Sequence, residues 1–280
     1  MPDRPARPSK PQTVLEVIRR ERIAPHLVRV YAGGAGFAAF RPNEFTDRYI
    51  KILFAKPELA LVPPYDLAEL RGRLDPSDLP VTRTYTVRQV NTAEQWLSID
   101  FVVHGDEGLA GPWAATATPG DLIVFSGPGG GYSPDPTADW HLFAGDESAL
   151  PAIAAALEAL PADAEGVAFV EVYGAADEIV LEAPDGVDIR WVHRGDAAAG
   201  TSTVLADTIA DFDWPTGRVQ VFAHGERESM KALRAVFFDR HRLERAQVSL
   251  SGYWAYGRAE DRFQAEKREP IGQILEAAAR

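Results

Sequence analysis

The feature that most constrains this chain is a change of texture near Ser133-Pro134-Asp135-Pro136. Before it, short runs of β-branched and aromatic residues follow one another with turn residues between. Val14, Leu15, Val17 and Ile18 make one run and Leu27, Val28, Val30 and Tyr31 the next, with Ala24-Pro25-His26 as the break. Tyr49 to Phe54, Val81 to Arg88, Trp96 to Val103 and Leu122 to Phe125 continue the series, and Asn91 to Gln95 is a hairpin turn. Many short strands with regular turn signals predict a small antiparallel barrel.

After the break, strands alternate with helices. Leu142-Phe143-Ala144 precedes a helix with Ile153, Ala156, Leu157 and Leu160 on one stripe. Val167 to Tyr173 and Ile189 to Val192 are strands, Thr203 to Phe212 a helix, and Val219 to Ala223 a strand that leads into a helix carrying Met230, Leu233 and Phe237. Val248 to Leu250 is the last strand. That alternation predicts a parallel, doubly wound sheet. The 280 residues are therefore expected to form two domains, 1–135 and 136–280.

Two stretches stand apart. Ala55 to Pro80 is a proline-rich connection in which Leu67, Leu70 and Leu74 suggest one short helix. Gly33-Gly34-Ala35-Gly36 resembles a phosphate loop, but no helix-forming sequence follows, so it is read as a plain loop.

Composition removes several functions. The net charge of −12 disfavours nucleic acid and anionic lipid. With no cysteine, disulfides, thiolate metal sites, iron–sulfur clusters and cysteine nucleophiles are all excluded. The six histidines are scattered, so no protein metal site is expected. No run reaches the apolar length of a membrane span, and Met1 to Gln12 has four prolines and no apolar segment. A soluble, cytoplasmic protein is expected.

Chemistry gathers on Arg83-Thr84-Tyr85-Thr86-Val87-Arg88. Period-two alternation puts Arg83 and Tyr85 on one strand face and Arg88 on the other. A guanidinium suits a pyrophosphate, a phenol ring can lie on a flat heterocycle, and Thr86 offers a hydroxyl beside it. Downstream, His104-Gly105 ends a strand, and Asp106-Glu107-Gly108-Leu109-Ala110-Gly111-Pro112-Trp113 is a glycine-rich turn with a helix opening at Pro112. A large planar anion fits this set, and a flavin nucleotide is the most economical one.

These stretches, with Gly145-Asp146-Glu147-Ser148-Ala149-Leu150-Pro151-Ala152 and Ser251-Gly252-Tyr253-Trp254-Ala255-Tyr256-Gly257, give a chain that resembles the siderophore-interacting protein family, flavin-dependent ferric-siderophore reductases of ferredoxin-reductase-like fold. The resemblance implies an N-terminal flavin-binding barrel and a C-terminal α/β domain of nucleotide-binding type. It assigns FAD to Arg83, Tyr85 and Thr86, with the pyrophosphate and adenine side on His104, Gly108, Ala110, Gly111 and Trp113. Leu109 departs from the proline usual in the family.

Gly145 to Pro151, with Asp146 and Ser148, falls where relatives of this fold bind NAD(P)H, although the local charge is acidic; a ferredoxin is the other donor implied. His224-Gly225-Glu226 is open to two readings, a nucleotide contact or a helix cap. Lys51, Lys267 and Arg268 are implied in holding an anionic ferric siderophore, the last two in a segment that folds back over the flavin. Lys267 and Arg268 also suit a solvated helix face of alternating charge. No set of acid–base residues stands out, as expected if the cofactor carries the chemistry. Two other functions stay open, a non-enzymatic siderophore binder and a general flavin reductase with an organic acceptor.

Overall fold

A computed structural model describes residues 11–105 and 108–275. The proline-rich arm up to Lys10 and the Asp106-Glu107 part of the glycine turn lie outside the described residues.

The first half holds β1 (Gln12–Ala24), β2 (Leu27–Gly33), β3 (Tyr49–Phe54), α1 (Leu67–Arg73), β4 (Val81–Asn91), β5 (Trp96–Val102), α2 (Ala110–Thr116) and β6 (Leu122–Gly129). The six strands close into an antiparallel barrel in the order β1-β2-β5-β4-β3-β6. Alternation explains its interior. Leu97, Ile99 and Phe101 are all fully buried in the barrel core with Ile50, Ile52 and Phe125. The outer face of β5 is covered too. Asp100 there takes both bonds of the Arg29 fork, at 2.6 and 2.8 Å.

The second half holds β7 (Trp140–Gly145), α3 (Leu150–Glu158), β8 (Gly166–Val172), β9 (Val187–His193), α4 (Val204–Ala210), β10 (Val219–Glu226), α5 (Arg227–Arg234), β11 (Val248–Trp254) and α6 (Glu260–Glu266). Its five strands are all parallel, in the order β11-β10-β7-β8-β9. Every residue of the central strand β7 is buried, as a strand covered on both faces requires. Residues of α4 and α5, with Phe237, pack on one face. On the other, α3 shares its apolar cluster with Ala24, Leu27 and Tyr132 of the barrel half. The two halves therefore meet on continuous apolar packing rather than a wet linker.

Three local expectations are corrected. Helix α2 opens at Ala110 rather than Pro112, since proline is tolerated within a first helical turn. A 3-10 turn, Ala35–Ala39, begins within the Gly33–Gly36 run; a Cβ on Gly36 would sit 1.8 Å from Val14 O, so that glycine serves close packing on β1. Strand β10 continues through His224-Gly225 to Glu226 because it pairs with β11 as far as Trp254.

Candidate functional site

The site lies where β3 and β4 of the barrel meet the C-terminal ends of β7, β10 and β11. Antiparallel register sets Tyr49 opposite Thr86, Ile50 opposite Tyr85, Lys51 opposite Thr84 and Ile52 opposite Arg83. Cross-strand partners share a face, so Tyr85 falls on the side of the buried Ile50. Its ring lies 4.4 Å from that of Phe101, and Trp113 packs 5.6 Å from both Phe101 and Phe54. Burial pushes the Tyr85 phenol well above its ordinary range, with the Glu260 carboxylate adding to it.

Arg83 donates to Thr82 O at 2.8 Å and stands 3.8 Å from Asp261, a carboxylate three-quarters exposed. That is a long, wet pair of small value. Gly111 packs so closely on the end of β5 that a Cβ would come within 3.1 Å of Val102 O. Gly108 and His104 are exposed, Ala110 is buried, and Gly111 and Trp113 are half-buried. A guanidinium with little to hold it, an aromatic shelf and a turn without side-chain bulk suit a nucleotide with a flat ring. On these residues, FAD fits.

Thr86 is buried, and its hydroxyl meets the phenol of Tyr253 on β11. The Tyr253 ring stands edge-on to His224, with centroids 4.9 Å apart. His224 is itself buried, bonded through Nε2 to Ser249 Oγ at 2.9 Å, and desolvation pushes its pKa down to about 3. Sequence reasoning passed over Tyr253 as a seam residue. Its motif was visible, but only tertiary packing brings β11 to β4.

Helix α6 returns to the barrel. Thr84 donates to Glu260 at 3.1 Å. The helix is held by Glu266, which takes Arg227 at 2.6 Å, Arg258 at 2.8 Å and Arg262 at 2.9 Å, and whose carboxyl is held down at about 2, chiefly by the Arg227 bond. Lys267 follows α6, its ammonium 4.7 Å over the Phe263 ring. Partial burial lowers its pKa, Glu260 opposes this, and Lys51 lowers it further, which places the two lysines within electrostatic reach. Arg268, next to Lys267 in sequence, is exposed. Because Lys51 stands opposite Thr84 and Thr84 bonds Glu260, the fold brings Lys51 and the α6 segment to the same part of the barrel from distant parts of the chain.

At the end of β7, Asp146 turns inward. Its Oδ1 accepts from Ser148 N at 2.9 Å and from the Ser148 hydroxyl, and its Oδ2 from Glu226 N and Trp254 Nε1, both at 2.8 Å. Gly225 makes this possible. Its φ of +154° suits glycine, and a Cβ there would meet Asp146 Oδ2 at 2.8 Å. Asp146 thus knots β7, β10 and β11 together. Glu226 caps α5, accepting from Glu228 N and Ser229 N, so the helix-cap reading of His224-Gly225-Glu226 is the one realised by its side chain. Among the described residues no group of histidines and carboxylates is arranged to hold a metal ion, and no helix is long and apolar enough to cross a membrane.

A closed antiparallel barrel joined to a five-stranded parallel sheet, with an arginine–aromatic–threonine strand at their seam, defines a ferredoxin-reductase-like protein. The fold is shared with a ferredoxin–NADP+ reductase of Plasmodium falciparum, at 12% identity and a TM-score of 0.63 over 86% of this chain and 96% of that one. More particularly, residues 16–132 match the siderophore-interacting FAD-binding domain and residues 138–257 the siderophore-interacting protein domain. The chain is 34% identical to the ferric vibriobactin reductase ViuB of Vibrio cholerae, over 91% of this chain and 93% of that one. It is 30% identical to the NADPH-dependent ferric-chelate reductase of Escherichia coli, over 86% and 91%. The crystal structure of a siderophore utilization protein from T. fusca is 38% identical and superposes with a TM-score of 0.78 over 89% and 94%. The chain belongs to the siderophore-interacting protein family.

Proposed function

We propose that this protein is an FAD-dependent reductase of ferric siderophores that draws electrons from NAD(P)H, with a ferredoxin as the other donor class. One NAD(P)H would reduce two ferric complexes, leaving NAD(P)+, a proton and two Fe(II) that the chelator holds weakly. The observation that carries the reading is the seam itself. The Arg83–Thr86 strand of an FAD-binding domain lies beside a lysine pair, Lys51 and Lys267, and against the strand ends of a parallel sheet.

FAD, when bound, supplies the conversion between two-electron and one-electron transfer. The chain's own residues do the rest. Arg83 neutralises phosphate charge. Tyr85, backed by Phe101, supports the ring. Thr86, near the Tyr253 phenol, offers its hydroxyl at the ring edge. Lys51, Lys267 and Arg268 attract the anionic iron complex, the last two from an exposed position. Asp146 and Ser148 shape the turn at which the dinucleotide lands. Outer-sphere transfer to iron needs only closeness and charge, so no acid–base residue is invoked.

In this reading residues 1–135 hold the flavin and 136–280 receive the donor, and the reaction belongs in the cytoplasm, on siderophore already imported. An anaerobic titration tests it. NADH or NADPH should bleach the FAD-loaded protein and a ferric siderophore should recolour it. Protein that stays colourless after FAD is added would sink the flavoenzyme reading. Turnover with quinones equal to that with ferric chelates would sink the choice of acceptor.

A further inference from the structure

The strand ends also carry information about which dinucleotide is used. We propose that the donor is NADH rather than NADPH, and that the ion pair between Arg194 and Glu147, beside Glu171, is what turns the 2′-phosphate away. This rests on the reading that a nicotinamide dinucleotide is the donor at this edge.

In open parallel sheets a dinucleotide lies across the carboxyl ends of the strands. An acid near the end of the second strand accepts from the ribose 2′-hydroxyl, whereas an arginine nearby accommodates a 2′-phosphate. Here β8 lies next to β7 in the sheet and β9 next to β8 at the edge, beyond the Gly145-Asp146 turn. Glu171 is the last residue but one of β8, and Arg194 follows the last residue of β9. Arg194 is thus the cation placed to meet a 2′-phosphate, and it is already engaged. Its Nη1 stands 2.6 Å from Glu147 Oε1 and 4.0 Å from Glu171 Oε1, and all three side chains are buried.

A phosphate there would have to share one guanidinium with two buried carboxylates and bring its own negative charge up against them. His193 is bonded to Glu178 at 2.7 Å, and Asp196, which accepts from the Tyr173 phenol at 2.9 Å, adds one more acid. Burial pushes the Glu171 carboxyl up to about 7, with Asp146 and Glu147 adding and Arg194 opposing, as an electronegative surrounding requires.

NADH meets no such conflict. Its 2′-hydroxyl brings no added charge to this edge and can donate to a carboxylate. The Escherichia coli relative is named for NADPH; at this edge the charges of the present chain favour the other dinucleotide.

The test uses the FAD-loaded full chain. Anaerobic bleaching by NADH should exceed that by NADPH in kcat/KM by on the order of ten-fold or more. Calorimetric titration should show ADP-ribose binding tighter than 2′-phospho-ADP-ribose by a similar factor. Glu147→Gln, or Glu171→Gln if the first fails to fold, should narrow both ratios by improving the phosphorylated ligand. Equal use of the two donors, or preference for NADPH, overturns the proposal and leaves the donor reading standing. A wild-type preference for NADH that neither variant narrows overturns the assignment to this ion pair. Failure of both dinucleotides to bleach the flavin, with neither ADP-ribose binding, overturns the donor reading as well.

Discussion

Arg88 on β4 and Glu158 at the end of α3 join the barrel to the α/β half through a two-armed ion pair, Nη1 to Oε2 at 3.0 Å and Nη2 to Oε1. The Arg88 side chain is 7% exposed and that of Glu158 29%. On the same strand, two residues away, Thr86 meets Tyr253, and four residues away Thr84 meets Glu260. One strand thus carries both the candidate flavin contacts and the clamps that hold the second half against them.

Glu158→Ala should therefore destabilise the protein, because it leaves Arg88 buried without its partner. The loss should fall short of the roughly 3–5 kcal/mol of a fully buried pair, since Glu158 keeps some water. Arg88→Met should cost less, having removed the buried charge itself. Urea unfolding midpoints compare the two; equal or reversed costs would contradict the clamp.

Arg83→Ala should weaken FAD retention by removing a charge-assisted phosphate contact. The flavin-to-protein absorbance ratio after gel filtration reads it out. Full occupancy in the variant would move the phosphate site elsewhere. Little stability should be lost, as Arg83 has only its Thr82 bond and a long exposed pair to give up.

Lys51→Ala combined with Lys267→Ala should raise KM for an anionic ferric siderophore several-fold and leave the rate of flavin bleaching alone. Raising ionic strength should shrink the difference, because the attraction is screened. Unmoved siderophore kinetics would remove the lysine pair from the substrate site.

Glu266→Ala should release α6, since Arg227, Arg258 and Arg262 all close on that one carboxylate. Faster limited proteolysis between Trp254 and Gln273, with the rest of the chain intact, is the expected pattern. Cleavage no faster than in the parent would mean that Phe263 packing alone holds the helix.

Glu171 makes stability depend on pH in a defined direction. Its folded pKa, about 7, lies above the ordinary carboxyl value. The group therefore adds stability below about pH 4.3 and loses it as pH rises through about 7. Glu171→Gln stays neutral, so its stability relative to the parent should increase between pH 5 and 8, by on the order of 1–3 kcal/mol. Paired urea melts at the two pH values measure this; a constant difference would place the proton elsewhere.

Much of the architecture was legible in the residues because it depends on periodicities of two and 3.6 and on turn chemistry. Leu97, Ile99 and Phe101 could be assigned to one buried face, and the switch to alternating strands and helices marked the parallel sheet. The local motif Arg83 to Thr86 and the family resemblance came from the same source. Sequence alone left Asp146 as an acid in an awkward place for a phosphate, and Arg88 as an arginine without a role. Both answers lie across long sequence separations. Asp146 is tied to Glu226 and Trp254, Arg88 to Glu158, and Lys267 comes to stand by Lys51.

The linear chain thus determined its elements, its two halves and the chemistry of its candidate flavin strand, since these follow from neighbours in sequence. Tertiary structure alone decided which charges are spent and which are left for a ligand. Burial and ion pairing depend on what the fold brings within a few ångströms, and no local pattern records that.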